Sequence, residues 1–261
     1  MRHLKNDPVK LLPSSLADLQ PKRRLTIYIR RVLGLGLLPV PISVVYVLVM
    51  AILTDFEAST YTSCQVLNVL PSSSAAARSQ HEVWTMACWT QFPILLASAC
   101  LQFRLYSRAL PRHARSFGCL VTFSLIQGSC SLVLWGSFAT VDGDSFLHVV
   151  TAISMFTSAA IYMAGSFVCA KYYLRCESRR EKFSLWLKSR LVFVYFLAAS
   201  IMWIWYVLHH KFCVPLAYSL FALGEFVSFE CLCLNFWTAY WDYYHVVILY
   251  DKRQGFYITD L

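Results

Sequence analysis

The sequence predicts an all-α, polytopic membrane protein: a six-transmembrane-helix bundle with both termini in the cytosol. Three observations lead to this fold class: six long intervals almost free of charged residues, a strongly apolar composition, and an uneven distribution of Lys and Arg. With 58% hydrophobic and 14% charged residues, a chain of 261 residues has too little polar surface to cover a soluble globule. Because lipid offers no hydrogen-bond partner to a backbone amide, each crossing must be a helix.

Each of the six intervals is long enough to cross a bilayer, which takes roughly 20 apolar residues. They are residues 32–54, 83–103, 116–141, 145–170, 191–210 and 212–241. The first is too long for the apolar core of a secretory signal and has no small-residue cleavage site, so it is predicted to stay in the chain. Its Gly34, Gly36, Pro39 and Pro41 predict a broken helix.

The sixth interval differs from the others because it contains carboxylates, Glu225 near its middle and Glu230 shortly after it. A charged side chain at the centre of a membrane helix costs roughly 2.5–3.5 kcal/mol on insertion scales. The apolar residues on either side offset this cost, so the segment is still predicted to span. Glu225 is then expected to face protein or a wet cavity rather than acyl chains.

The distribution of Lys and Arg predicts the orientation. Of the 23 Lys and Arg residues, 21 fall in segments on one side of the predicted bundle, and only Arg78 and Lys211 lie on the other. The positive-inside rule therefore places both termini in the cytosol. The net charge of +9 favours anionic lipid as a partner and no nucleic acid, since no RNA- or DNA-binding motif accompanies it. The predicted parts are a cytosolic basic tail 1–31, a single membrane domain 32–241 and a cytosolic tail 242–261.

The lumenal side is predicted to consist of one long loop, 55–82, and two tight turns, 140–146 and 209–213. Cys64 and Cys213 are the only cysteines in these segments. Because the lumenal compartment is oxidising, they are predicted to form a disulfide. Most of the other cysteines fall in apolar segments, where a thiol behaves as a small hydrophobic group.

Few residues are candidates for chemistry. The chain has none of the strong catalytic signatures, and it predicts neither a metal site nor a cofactor. Asp55, His148 and His209 lie at the lumenal ends of predicted helices, and Glu225 lies roughly 10–15 Å deeper by the rise per residue. A histidine beside a buried carboxylate can act as a general base. The alternative is that the histidines contact lipid headgroups and that Glu225 bonds a neighbouring helix.

Four segments of the chain resemble the post-GPI attachment to proteins factor 2 family. This family is part of a wider group of six-helix proteins that includes the damage-regulated autophagy modulators. The segments are Cys64-Gln-Val-Leu-Asn-Val-Leu-Pro-Ser72, the Phe212-Cys213 pair after His209, Phe221-Ala-Leu-Gly-Glu-Phe226 and Thr238-Ala-Tyr-Trp-Asp242. The likeness spans most of the chain, and the combination of the first and last segments is fairly specific.

The resemblance implies a multi-pass membrane protein of the Golgi apparatus, with the endoplasmic reticulum membrane as the alternative location. It implies a role in fatty-acid remodelling of GPI anchors, in which a lyso-GPI intermediate regains an acyl chain. The partners would be membrane lipids and GPI-anchored proteins or lyso-GPI, and the acyl donor stays open. The chain would act as acyltransferase or as an obligatory helper.

Residues that match positions of the family pattern suggest roles in such a reaction. His148 is the predicted base, Glu225 or Asp55 would orient it, and Asn68 would donate a hydrogen bond to the acyl carbonyl. The matching positions are Cys64, Asn68, Pro71, Ser72, His148, His209, Cys213, Glu225 and Asp242. The chain departs from the family at Val149, where the family tends to have Glu, and at Gln91, where it tends to have His.

Two other classes of function stay open. A lipid transporter or scramblase would need a polar path that continues from Glu225 towards the cytosol. A noncatalytic membrane scaffold would leave the lumenal polar groups dispersed.

Overall fold

The computed structural model describes residues 25–138, 146–174, 178–251 and 255–260. Most of the predicted basic tail and nearly all of the predicted turn 140–146 lie outside these residues. In chain order the elements are β1 Leu25–Tyr28, α1 Ile29–Gly36, α2 Pro39–Thr54, α3 Phe56–Thr60, α4 Ser73–Arg78, α5 His81–Ala109, α6 Arg115–Phe138, α7 Phe146–Tyr172, α8 Arg179–Phe212, α9 Ala217–Trp237, α10 Ala239–Asp242, β2 Val246–Asp251 and β3 Gly255–Asp260.

The predicted bundle of six membrane helices is confirmed. In the part of the chain that the structure describes, six segments are long and apolar enough to span: Ile29–Thr54, His81–Ala109, Arg112–Phe138, Phe146–Tyr172, Arg179–Phe212 and Ala217–Asp242. The fifth begins at residue 179 instead of 191, because Ser178 and Glu181 form a capping box that starts the helix before its charge-free part. The chain is therefore a multi-pass membrane protein.

Helices that are neighbours in sequence pack closely, α5 on α6, α6 on α7 and α8 on α9, while α2 packs on α4, α5 and α9. The first span is broken between α1 and α2, as its glycines and prolines predict. Gln91 on α5 supports this break, because its Oε1 accepts a hydrogen bond from the N–H of Val40 at 3.2 Å. Without that acceptor, an amide in the first turn of α2 would be buried unpaired.

The close contact of α8 and α9 depends on Gly224. A Cβ at this position would lie 2.9 Å from Cβ of Met202 and 3.0 Å from the carbonyl oxygen of Ala198. Small residues at such contacts let membrane helices approach each other. Replacing Gly224 with Ala is therefore expected to lower the free energy of unfolding by about 1–3 kcal/mol, because the two helices must separate.

The measurement is the melting temperature of the purified full chain in detergent, with Gly128→Ala as the control. A Cβ at Gly128 would meet only Cβ of Ser158, at an ordinary 3.4 Å. Equal melting temperatures for the two variants would contradict the close approach of α8 and α9 at Gly224.

Residues 25–28 and 245–260 belong to a second compact unit that the sequence did not predict. Its described part is a three-stranded antiparallel sheet in the order β1-β2-β3. Leu25 pairs with Tyr250 and Val246 pairs with Asp260. The sheet joins residues near both ends of the chain, so the predicted C-terminal tail is in part ordered.

Candidate functional site

The long loop between α2 and α5 is fastened to α8 and α9 at several points. Cys64 is bonded to Cys213, with their Cα atoms 5.4 Å apart, and this is the pair that the topology predicts. The N–H of Leu216 donates to the carbonyl of Leu67 at 2.9 Å. The hydroxyl of Ser219 accepts the N–H groups of the loop residues 69 and 70 at 2.8 and 3.2 Å. The loop is thus held against the start of α9.

Glu225 joins the loop to the interior of the bundle. Its side chain is buried, and its Oε2 accepts the backbone N–H of Ser73, the first residue of α4, at 2.9 Å. A carboxylate at a helix N-terminus satisfies an amide that has no partner within the helix. Glu225 therefore faces protein, as the sequence requires of a carboxylate in a membrane helix.

Three more side chains lie around this contact. The hydroxyl of Tyr218 donates to Oγ of Ser72 at 2.8 Å, and the Tyr218 ring lies 5.2 Å from the ring of His209. His209 is 3% exposed, and within the described part of the chain its Nδ1 has no hydrogen-bond partner. We call Ser72, Ser73, His209, Tyr218 and Glu225 the loop cluster.

His148 lies in a layer of aromatic side chains. Nε1–H of Trp135 donates to Nε2 of His148 at 3.4 Å, and the rings of Trp84, Trp135 and Phe229 lie within 5.6–5.9 Å of each other. Phe229 follows Glu225 by four residues on α9, about 6 Å along the helix. His148 therefore belongs to a buried layer one helical turn from Glu225 along α9.

Asp55 and Asn68 occupy other places. Asp55 is half-buried at the junction of α2 and α3. Asn68 is buried in the loop, and its Nδ2 donates to the carbonyl of Val66 at 3.1 Å. The Asn68 amide group thus makes a hydrogen bond within the loop, and its contact with a substrate stays a prediction.

Of the predicted site residues, Glu225 and His209 meet the same loop segment: Glu225 accepts from Ser73, and His209 lies against Tyr218, which donates to Ser72. The orienting role of Glu225 or Asp55 towards His148 stays a prediction.

Sequence reasoning missed Ser73 and Tyr218 as members of the loop cluster. Two signals were available. Ser73 follows Pro71-Ser72, a pattern that predicts a helix start, and Tyr218 lies seven residues, two helical turns, before Glu225 on the same face.

The two departures from the family pattern fall outside the loop cluster. Gln91 supports the start of α2, as described above. Val149 is 40% exposed, whereas its neighbour His148 is buried. A carboxylate at position 149 would therefore point away from the interior, and its absence removes no partner from the buried site.

The loop cluster can provide the groups that proton transfer needs: an imidazole, a phenol, a serine hydroxyl and a buried carboxylate. Metal chemistry has no comparable set of ligands here. Among residues 25–138, 146–174, 178–251 and 255–260, no group of three or more His, Cys, Asp and Glu side chains could hold a metal ion.

Comparison with known proteins agrees with this architecture. The chain is 29% identical over 223 residues to post-GPI attachment to proteins factor 2 of Drosophila pseudoobscura pseudoobscura, covering 82% of this chain and 85% of that protein. It is 28% identical to the Drosophila melanogaster protein of the same name, covering 78% and 82%, and 26% identical to that of Caenorhabditis elegans, covering 79% and 82%. No solved structure matches the chain significantly.

The resemblance that four segments predicted is thus confirmed over about four-fifths of the sequence. Residues 31–246 match the model of the Frag1/DRAM/Sfk1/Cwh43P N-terminal domain, which extends from α1 through the sixth membrane helix to the first residue of β2. The chain belongs to the Frag1/DRAM/Sfk1/Cwh43P N-terminal domain family.

Proposed function

We propose that this chain acts in the lipid remodelling of GPI anchors in the Golgi, where it reacylates lyso-GPI as acyltransferase or obligatory helper. Support comes from the relatives, which are named post-GPI attachment to proteins factor 2. The observation that carries the proposal is the loop cluster, in which Glu225 accepts the N–H of Ser73 and His209 lies against Tyr218, which donates to the adjacent Ser72. Stable surface display of GPI-anchored proteins would depend on this step.

A site at this position suits a lipid whose glycan faces the lumen. Such a substrate already lies in the bilayer, so its acyl chains can stay between helices while its polar part reaches the loop cluster. This requires the loop on the lumenal side, which is the orientation that the Lys and Arg distribution predicts.

Acyl transfer to a lipid hydroxyl needs a base that removes the hydroxyl proton and a donor that stabilises the developing oxyanion. We assign His148 as the base, with Glu225 or Asp55 orienting it, and His209 as a substrate-binding residue. Asn68 is the proposed donor near the carbonyl and the second substrate-binding residue. The contact between His209 and Tyr218 makes His209 the second imidazole to test.

The structure gives less support to the other two functions. Beyond Glu225 along α9, the interior is filled by the rings of Trp84, Trp135 and Phe229, each no more than 2% exposed. This layer disfavours a continuous polar path of a transporter or scramblase. The gathering of polar side chains in the loop cluster disfavours a scaffold with dispersed groups.

His148→Ala is expected to abolish reacylation, because removing a general base costs about 100- to 10,000-fold in rate. The variant would be expressed in cells that lack this chain, and the amount of a GPI-anchored reporter would be measured on the cell surface and in the medium. We expect the reporter to be shed, with lyso-GPI in lipid analysis of the anchor.

The control for this experiment is His113→Ala, which removes an exposed histidine next to α6. Normal surface retention with His148→Ala, at equal protein level, would remove His148 from the mechanism. The same assay with His209→Ala, against exposed His210→Ala, tests the second imidazole.

A further inference from the structure

A second polar site lies at the end of the bundle opposite the loop cluster. It is a cavity of about 260 Å³ between α5, α7, α8 and the α9–α10 junction. Gln102 in its wall and Trp84 near the loop are 18 residues apart on α5, which is about 27 Å along a helix. This space is therefore separate from the site of the proposed reaction, and the inference does not depend on that reaction.

The centre of the cavity wall is an ion pair. Nζ of Lys188 contacts Oδ2 of Asp242, and Oγ of Ser184 bridges the two, donating to Asp242 at 2.6 Å and accepting from Lys188 at 3.2 Å. Lys188 is 5% exposed. An ammonium has three N–H donors, and two of those of Lys188 are used in these contacts. As far as the described residues show, the third donor is left for a ligand.

The wall also holds an acceptor without a partner. Nε2 of Gln102 donates to the hydroxyl of Tyr106 at 2.8 Å, but Oε1 of Gln102 is buried and has no hydrogen-bond partner within the described residues. Gln102 is 6% exposed. Buried polar atoms of native proteins are nearly always paired, so this oxygen calls for an N–H or O–H group from the occupant of the cavity.

The charges of the site indicate which group that is. The carboxylates of Glu181 and Asp242 in the described wall can each accept hydrogen bonds beyond those from Ser178, Ser184 and Lys188. Three basic residues, Arg104, Arg108 and Lys171, are sequence neighbours of the lining residues Leu105, Ala109 and Ala170. An occupant with a cationic group inside and an anionic group at the rim would match both.

The rest of the lining is apolar, with Leu105, Leu174, Leu185 and Phe236 among the residues in contact with the space. Water in the cavity would leave these apolar side chains exposed to water, which is unfavourable. The occupant is therefore amphipathic.

We propose that this cavity binds the head of a phospholipid that carries a primary ammonium group, as in phosphatidylethanolamine. The ammonium would donate to Gln102 and to the carboxylates, and the phosphate that precedes it would lie towards the basic rim and the free donor of Lys188. A choline head carries the same charges but has no N–H group, so it cannot satisfy Oε1 of Gln102. This difference gives the proposal its test.

The full chain would be placed in nanodiscs of phosphatidylcholine with increasing phosphatidylethanolamine, and the lipids that stay bound would be counted by native mass spectrometry. We expect a preference for phosphatidylethanolamine over phosphatidylcholine of about tenfold, the value of one charge-assisted hydrogen bond. Equal retention of the two lipids would overturn the proposal, and so would the absence of any retained lipid, which would mean that the cavity holds only water. Stronger retention of phosphatidylglycerol would also overturn it, because attraction to the basic rim would then suffice.

Gln102→Leu is the matched variant, since it removes the unpaired acceptor at similar volume. We expect it to reduce the preference to within about threefold of phosphatidylcholine. Gln127→Leu is the control, because Gln127 is an exposed residue of α6 and is not part of the cavity wall. An unchanged preference in Gln102→Leu, with a melting temperature like that of Gln127→Leu, would reject Gln102 as the recognising group and with it the proposal.

Discussion

Replacing Glu225 with Leu is expected to release the α4 end of the loop from the bundle, while the Cys64–Cys213 bond still holds its other end, and to abolish surface retention of GPI-anchored proteins. The variant leaves the buried N–H of Ser73 without its acceptor, which costs about 1–3 kcal/mol. That cost raises the population of the detached loop about 5- to 150-fold. Hydrogen exchange over residues 61–78 of the purified chain measures the detachment, and the surface reporter measures its consequence.

Two further variants identify what Glu225 contributes. Glu225→Gln keeps an oxygen that can accept the Ser73 N–H but removes the carboxylate. If hydrogen exchange of the loop amides stays normal and surface retention is still lost, the carboxylate takes part in the reaction. If both measurements are normal, Glu225 serves only to hold the loop. Glu230→Leu removes a carboxylate from the same helix without touching the loop and is the control. Unchanged hydrogen exchange of the loop amides in Glu225→Leu would contradict the prediction, because the disulfide and the bonds to residues 216 and 219 would then be enough to hold the loop.

Breaking the disulfide is expected to have the second large effect. Cys64 and Cys213 are 149 residues apart in sequence, so their bond closes most of the membrane domain into a loop. Removing such a cross-link typically costs about 2–5 kcal/mol. The double variant Cys64→Ser, Cys213→Ser should therefore melt at a lower temperature than the unchanged chain.

Reductant gives an independent check on this prediction. Treating the unchanged chain with a thiol should lower its melting temperature to that of the double variant and should not affect the variant itself. Cys100→Ala, at an exposed free cysteine of α5, controls for the loss of a thiol. A melting temperature that reductant does not change would contradict a stabilising bond between Cys64 and Cys213.

Most of the membrane architecture was predictable because it depends on local properties of the sequence. Twenty or so apolar residues in a row specify a membrane helix wherever they occur, and Pro39 and Pro41 specify the break before α2. The start of α8 at Arg179 was missed even though its signal is local: the Ser178–Glu181 capping box lies among charged residues and was read as part of a loop.

The site was less predictable because its contacts join distant parts of the chain. Ser73 and Glu225 are 152 residues apart in sequence, and nothing near either residue specifies the other. The ion pair of Lys188 and Asp242 was missed for the same reason, since each residue reads as an ordinary charge at the end of a membrane helix.

The three-stranded sheet was missed for a different reason. Its strands, such as Val246–Asp251, are rich in β-branched and aromatic residues, which favour strands. Their pairing could not be predicted, because β1 and β2 come from segments on opposite sides of the membrane domain in sequence.

The order of the loop and its partners along the chain has a consequence for biosynthesis. Cys64 leaves the ribosome 149 residues before Cys213, and Ser73 leaves it 152 residues before Glu225. At 5–20 residues per second, the loop waits about 7–30 s with a reduced thiol and no anchor. During that interval the thiol of Cys64 can react with wrong partners. Chains truncated before α9 should therefore be recognised by quality control as unfinished.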